Sequence, residues 1–165
     1  MTVDVRERAT SPDFDFWMGR WNVHNRRLVR RLAGSDEWDE FESKVAARPL
    51  PGGLGNEDVY CTEYGGGFIG MSFRFYDPET DLWSIYWADS RRPGLLEPPV
   101  VGSFVGDTGI FVGADTLDGR PIQVRFTWSG VTTSTPRWEQ AFSDDEGETW
   151  ETNWVMEFTP AGDPS

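Results

Sequence analysis

The chain has little of the chemistry that usually marks a function. It has one cysteine, one histidine and one lysine: Cys61, His24 and Lys44. A lone cysteine cannot form an internal disulfide. One Cys with one His cannot build a Cys/His cage, so structural zinc is excluded and no metal is expected. Long uncharged apolar runs are missing, and Met1 to Asp15 holds nothing like the apolar stretch of a secretory leader, so a soluble, cytoplasmic protein is expected. Positive charge is scarce: 15 basic against 28 acidic residues leave a net charge of −13. Such a field opposes both phosphate backbones and anionic bilayers, so neither nucleic acid nor membrane is an expected partner. Also absent are a Gly-x-Ser-x-Gly elbow, a phosphate loop ending in lysine, a His-Glu-x-x-His pair and a dinucleotide fingerprint. Gly65-Gly66-Gly67 precedes a strand-like segment and so lacks the helix dipole that holds phosphate.

What the chain does have is aromatic side chains and turns. Aromatic residues make up 15% of it, including nine tryptophans, which implies either a thick core or a ring-lined cavity. Its 165 residues suit one domain. The organisation expected is a polar leader over residues 1–12, one domain over 13–160 and a tail over 161–165. Asp13 to Gly19 (DFDFWMG) reads as a short helical turn that Ser11 or Asp13 caps and Gly19 ends. Helix periodicity is absent after it. Alternating segments follow at Arg20–Leu32, Glu37–Ala46, Gly55–Glu63, Gly67–Asp77, Asp81–Ser90, Val100–Gly106, Gly109–Leu117, Pro121–Ser129, Thr135–Ser143 and Thr149–Thr159. Gly, Pro and Asp clusters separate them, as in sequential hairpins. About ten such strands in series predict an all-β, antiparallel up-and-down barrel, because closure removes two sticky edges. The proline-dense stretch Arg91–Pro99 (RRPGLLEPP) reads as a semi-rigid loop over one barrel end.

Ser143-Asp144-Asp145-Glu146-Gly147-Glu148-Thr149-Trp150 resembles the Asp-box, S-x-D-x-G-x-T-W, of sialidase-like proteins. The motif suits a hairpin tip in which Asp145 accepts backbone N–H groups, Gly147 takes positive φ, and Thr149 and Trp150 begin the returning strand. Propellers repeat the box on several blades. A single copy in so short a chain points to a turn and not to a sialidase.

The opening DFDFW-G-W, the phrase FYDPETDLWSIYWADSRRPG and the ending RWEQAFSDDEGETWETNWVMEF together resemble a group of actinobacterial proteins with no assigned activity. That group is in turn similar to calycin-like β-barrels, the superfold of lipocalins and fatty-acid-binding proteins. The resemblance implies a small apolar guest inside the barrel, with the Gly19-Arg20-Trp21 opening placing Trp21 near the barrel bottom. Haem-binding calycins draw a proximal histidine from late in the barrel. Here the last eight expected strands contain no histidine, and neither Cys61 nor a tyrosine is evidently placed to replace it. No cofactor is expected.

Several side chains are candidates for a site. His24 alone titrates near neutrality and is the first choice for a catalytic acid or base. By strand parity, however, it lies opposite Trp21, Val23 and Asn25, so it points outward if Trp21 points inward, unless a bulge reverses the register. Trp128, Trp138 and Trp154 share the more apolar faces of late segments with Gln140. They form either a pocket wall with an orienting amide or a filled core. Arg74 falls on the less apolar face of its segment, which favours an outward position. Turned inward with Tyr86, it could hold a carboxylate. Trp83 and Trp87, if outward, would make a patch suited to a homodimer contact. Arg20, Arg26, Arg27, Arg30 and Arg31 crowd the first strand, as solvated charges, as partners for the acidic excess, or as a local anion site.

The leading expectation is a barrel that binds a small apolar or aromatic ligand without a metal. Trp21, Trp128, Trp138 and Trp154 would serve as walls, and Arg74, Tyr86 and Gln140 as orienting groups. Two alternatives stand beside it. One is a cofactor-free isomerase or cyclase using His24 for proton transfer. The other is a packed barrel acting as a dimeric interaction domain.

Overall fold

Residues 10–162 are described by a computed structural model of the chain. The polar leader falls mostly, and the C-terminal tail partly, outside the described residues. A 3-10 turn (Asp15–Trp17) leads into β1 (Gly19–Leu28), β2 (Trp38–Pro49), β3 (Gly55–Thr62), β4 (Phe68–Asp77) and β5 (Leu82–Asp89). Then come β6 (Val100–Val105), β7 (Thr108–Leu117), β8 (Arg120–Ser129), β9 (Arg137–Ser143) and β10 (Glu151–Pro160). The ten strands form a closed antiparallel barrel in which each pairs with its sequence neighbours. β1 and β10 close the ring, from Trp21 opposite Pro160 to Arg27 opposite Trp154. This is the expected all-β meander, and closure leaves no strand without a neighbour on either side. Among the described residues no helix is long and apolar enough to cross a membrane.

Alternation fixes which side chains fill the barrel. Trp21, Val23 and Asn25 of β1 point inward together with Val45 of β2, Tyr60 of β3, Phe111 of β7 and Phe158 of β10. One end is plugged by the segment before β1. Phe14 and Trp17 are each 2% exposed. The Trp17 ring stacks on Trp21 at 5.3 Å and meets Trp128 and Phe158 edge-on at 4.8 and 4.7 Å. Phe14 packs edge-on against Trp83 and Phe104 at 4.8 and 5.0 Å. Rings this close gain edge-to-face attraction beyond their buried area, about 1 kcal/mol per pair. Three tryptophan N–H groups at this end are matched as well. Trp21 Nε1 donates to the Trp17 carbonyl at 2.8 Å, Trp17 Nε1 to Asp58 Oδ2 at 3.0 Å and Trp83 Nε1 to Asp13 Oδ2 at 3.1 Å. The turn has no side-chain cap; Ser11 Oγ instead accepts the Asp13 N–H.

Two faces differ from expectation. Trp83 is 2% exposed and Trp87 is half-buried against the same core, so β5 turns both rings inward and presents Leu82, Ser84 and Tyr86 outside. These tryptophans make no outer patch. Strand β4 likewise turns Phe68, Gly70, Ser72 and Arg74 inward and leaves Ile69 and Phe75 exposed. Gly70 makes room for this arrangement: a Cβ there would lie 2.1 Å from the Trp87 ring.

Opposite the plug, the chain reverses through longer connections. β5 and β6 pair only from Trp83 to Ile85 against Gly102 to Val100. Beyond that point the two strands part and the Arg91–Pro99 loop lies between them, tied by the Glu97 N–H to the Trp87 carbonyl at 2.8 Å. The Asp-box-like hairpin stands at this same end. Asp145 Oδ1 accepts the Thr149 N–H at 2.9 Å and the Ser143 hydroxyl at 2.7 Å, and Gly147 takes φ 86°. Hydrogen bonds from Thr149 and Ser143 hold the Asp145 carboxyl down at about 2. β10 begins only at Glu151, so Thr149 and Trp150 belong to the turn. Trp150 lies outside the barrel under Arg125, with the guanidinium 4.4 Å from the ring centre.

Candidate functional site: a cavity between plug and mouth

Between the aromatic plug and the loop end lies a cavity of about 430 Å3. Its two walls have different chemistry. From β8, β9 and β10 come Ile122, Val124, Trp138, Trp154 and Met156, an almost wholly apolar surface interrupted by Gln140. From β3 and β4 come Asp58, Tyr60, Ser72 and Arg74.

The polar wall is internally neutralised. Arg74 is 4% exposed, and its Nη2 lies 2.7 Å from Asp58 Oδ2 while Nη1 donates to Asn56 Oδ1 at 3.0 Å. Asp58 and Arg74 sit diagonally across the β3–β4 ladder, because Asp58 faces Ser72 and Asn56 faces Arg74; diagonal neighbours are within reach of long side chains. The guanidinium lies 5.1 Å from the Phe14 ring centre and 5.9 Å from those of Trp17 and Trp128. A buried arginine is tolerable only with such partners. Two buried donors of this floor region, Arg74 Nε and Trp128 Nε1, have no protein acceptor.

Asn25, behind the lining, organises two of its rings. It is completely buried. Its Oδ1 accepts from both Tyr60 OH and Trp154 Nε1 at 3.0 Å, and its Nδ2 donates to Ser43 Oγ at 2.8 Å. One amide thus fixes two rings of the lining. Burial pushes the Tyr60 hydroxyl up to about 12, against the pull of its hydrogen-bond neighbours, so it stays a neutral donor. Gln140 Nε2 donates to Asn153 Oδ1 at 2.8 Å, where a bulge shifts the β9–β10 register between Thr152 and Trp154.

The mouth is lined by Arg27, Arg31, Arg91, Arg92, Glu97 and Asp115. Arg91 is held by Asp89, with Nη2 and Nε 2.9 and 3.0 Å from its carboxylate oxygens. Asp89 is buried, which works to raise its pKa, but bonds from Arg91 and Trp87 outweigh that and bring it down to about 2. Arg92 pairs with Glu97.

Of the candidate residues, Arg74, Trp128, Trp138, Gln140 and Trp154 all line this cavity. Trp21 lies behind Trp17 in the plug and does not line it. Tyr86 points out of the barrel, where its ring meets Phe75 at 6.0 Å, so the expected Arg74–Tyr86 pairing does not form. His24 is outside too, with a side chain 43% exposed and its ring nitrogens 2.7 Å from Glu42 and 3.4 Å from Glu40. The Glu42 hydrogen bond raises its pKa above the ordinary 6.5. The expected general base thus does not reach the cavity, and among the described residues no cluster of three or more His, Cys, Asp or Glu side chains is arranged to hold a metal.

Sequence reasoning passed over Asn25 and Tyr60 as site residues, and Asp58 and Trp87 as cavity lining. Asn25 was in phase with Trp21 and Val23, which was the available signal. Asp58 and Tyr60 share a phase in β3, but both faces of that strand are polar enough to hide it.

Compared with known proteins, the chain matches no family model and no curated protein at a significant level. The architecture itself is compatible with a calycin-like barrel.

Proposed function

We propose that the protein is a non-covalent carrier or sensor of a small, largely apolar or aromatic molecule held inside the barrel, as the calycin resemblance suggests. The observation that carries this reading is the cavity of about 430 Å3, left inside a barrel that already has an aromatic plug. Ligand pockets run from about 300 to 1,000 Å3, with apolar walls and a few placed polar groups. The β8–β10 wall matches that composition. Gln140, whose amide interrupts that wall, supplies a hydrogen-bonding group to orient a polar atom of the guest. The Arg74 charge is not spare, because Asp58 already neutralises it, so the floor suits a neutral acceptor better than a carboxylate.

Titration with neutral N-phenylnaphthylamine, followed by dye emission and by quenching of the cavity tryptophans, tests the reading. Saturable binding is expected, and Val124→Trp, which fills the cavity, abolishes it while the far-UV spectrum stays β-rich. A flat response, or equal binding by a folded Val124→Trp variant, overturns the proposal.

A further inference from the structure

Arg27 is an unusual arginine for so acidic a chain. It faces inward at the mouth end of β1, half-buried, with its guanidinium 4.9 Å from the centre of the Trp154 ring. No carboxylate lies within ion-pair distance of it among the described residues. Asp39, its β2 neighbour in register, is engaged by the Tyr64 hydroxyl at 2.6 Å. Arg31 repeats the arrangement, half-buried and 5.8 Å from the centre of the Phe142 ring, again with no carboxylate within ion-pair distance; Asp118 acts on it only from farther away. Burial, then the neighbouring Arg31 and Arg91, lower the Arg27 pKa to about 10, so the cations crowd one another. Among the residues lining the cavity and its mouth, five arginines meet three carboxylates, whereas acids outnumber bases almost two to one in the whole chain. Like charges gathered at a low-dielectric opening repel one another and are costly to desolvate. Ring faces repay part of that cost, and an anion placed between the guanidinium groups would repay much more.

Resting on the cavity being a ligand site, we infer that its occupant is a small organic acid: a flat apolar body lying against Trp138 and Trp154, with one carboxylate, sulfate or phosphate group held at the mouth by Arg27 and Arg31. The orientation is head outward. The floor cannot take the anion, since the Arg74 guanidinium is matched by Asp58 and any anion there would also face Asp58. At the mouth Arg91 and Arg92 have their own partners in Asp89 and Glu97, and Asp115, on β7 across the barrel from β1, makes no ion pair among the described residues. That leaves Arg27 and Arg31 as the cations free to take a ligand charge. A strongly negative protein would otherwise repel an organic acid, and a local positive mouth overcomes that barrier at short range.

Two probes with the same rings separate this inference from the one beneath it. Anilinonaphthalene sulfonate carries the anion, and N-phenylnaphthylamine is its uncharged counterpart. At low salt the sulfonate is expected to bind about tenfold more tightly, the scale of one charge-assisted hydrogen bond. Arg27→Gln and Arg31→Gln should each weaken the sulfonate by about tenfold and leave the neutral probe within about twofold, while the outward-facing Arg125→Gln changes neither. Neither mouth substitution strands a buried carboxylate, so both variants are expected to fold. Equal wild-type affinities for the two probes, or the same loss for both in the Gln variants, would overturn the anionic head while leaving a neutral-ligand cavity standing. If neither probe binds, the cavity reading and this inference fall together.

Discussion

The two ends of the barrel are built from the same residue classes but to opposite ends. At the plug, Trp17, Trp21, Phe14 and Phe158 interlock, and the N–H groups of Trp17, Trp21 and Trp83 meet acceptors, Trp128 Nε1 being the exception. Its buried arginine, Arg74, is locked to Asp58. At the mouth, aromatic faces again meet arginines, yet Arg27 and Arg31 have no counter-ion among the described residues. The difference teaches where each kind of energy goes. Matched polar groups and dense rings at one end supply stability. Unmatched charge beside a cavity at the other end contributes little to folding and leaves interaction free for a guest.

Substitutions can break that contrast in graded steps. Trp17→Ala removes the ring on which the plug converges and one of the donors to Asp58, which keeps its Arg74 partner. A loss of about 4 kcal/mol in urea unfolding is expected, as for buried tryptophan truncations generally. Arg74→Met strands Asp58 in the interior and should cost about 3 kcal/mol; adding Asp58→Asn should recover part of that, and a fully additive double variant would show that the two do not act as a pair. At the mouth, Arg27→Gln should change stability by less than about 0.5 kcal/mol, as for substitutions that break no paired group. A loss as large as that of Arg74→Met would mean that Arg27 is structural.

Acid should sharpen the same comparison through the mouth-end turns. Asp89 and Asp145 both titrate near 2 in the folded protein instead of 3.8. A depressed folded value means that their contribution is complete above 3.8 and is lost as pH falls toward 2. Melting curves of the wild type and Asp145→Asn should therefore differ most at pH 5 and converge as pH approaches 2. A constant gap would show that the Asp145 charge is not what the turn uses. The smallest effect belongs to His24. Its raised pKa makes the Glu42 contact favourable below 6.5 and lost as pH rises through the folded value, and the exposed position keeps the effect slight. NMR titration should give a value above 6.5, and His24→Gln should leave probe affinity unchanged. Loss of binding or turnover in that variant would restore His24 to the site.

Much of the frame was legible beforehand. All ten strands lie near where turn chemistry placed them, because Asp118-Gly119, Asp77-Pro78 and the Ser143–Trp150 tip bracket runs that alternate cleanly, but β1 ends at Leu28, short of the expected Leu32, and β2 runs past Ala46 to Pro49. The same alternation set Trp21, Val23 and Asn25 against His24, and the barrel follows it. The inward faces of β4 and β5 were not legible. On β5, Trp83 and Trp87 compete with Leu82 and Tyr86. On β4 the more apolar face, Ile69 to Phe75, lost to the face carrying Arg74. Pattern alone ranks faces by apolarity, but Arg74 has Asp58 one rung away across the ladder and Gly70 leaves space for the Trp87 ring. Both are pair properties that a single strand's sequence does not carry. The mouth arginines were visible only as a cluster. Which of them lacked a partner depended on where Asp39, Asp89 and Glu97 came to rest.

A crystal structure of the protein bound to anilinonaphthalene sulfonate tests the central claim most directly. The expected result is one dye per barrel, its rings beside Trp138 and Trp154 and its sulfonate within hydrogen-bonding distance of Arg27 and Arg31. A dye found only on the outer face, with cavity side chains collapsed into the space between plug and mouth, would contradict it.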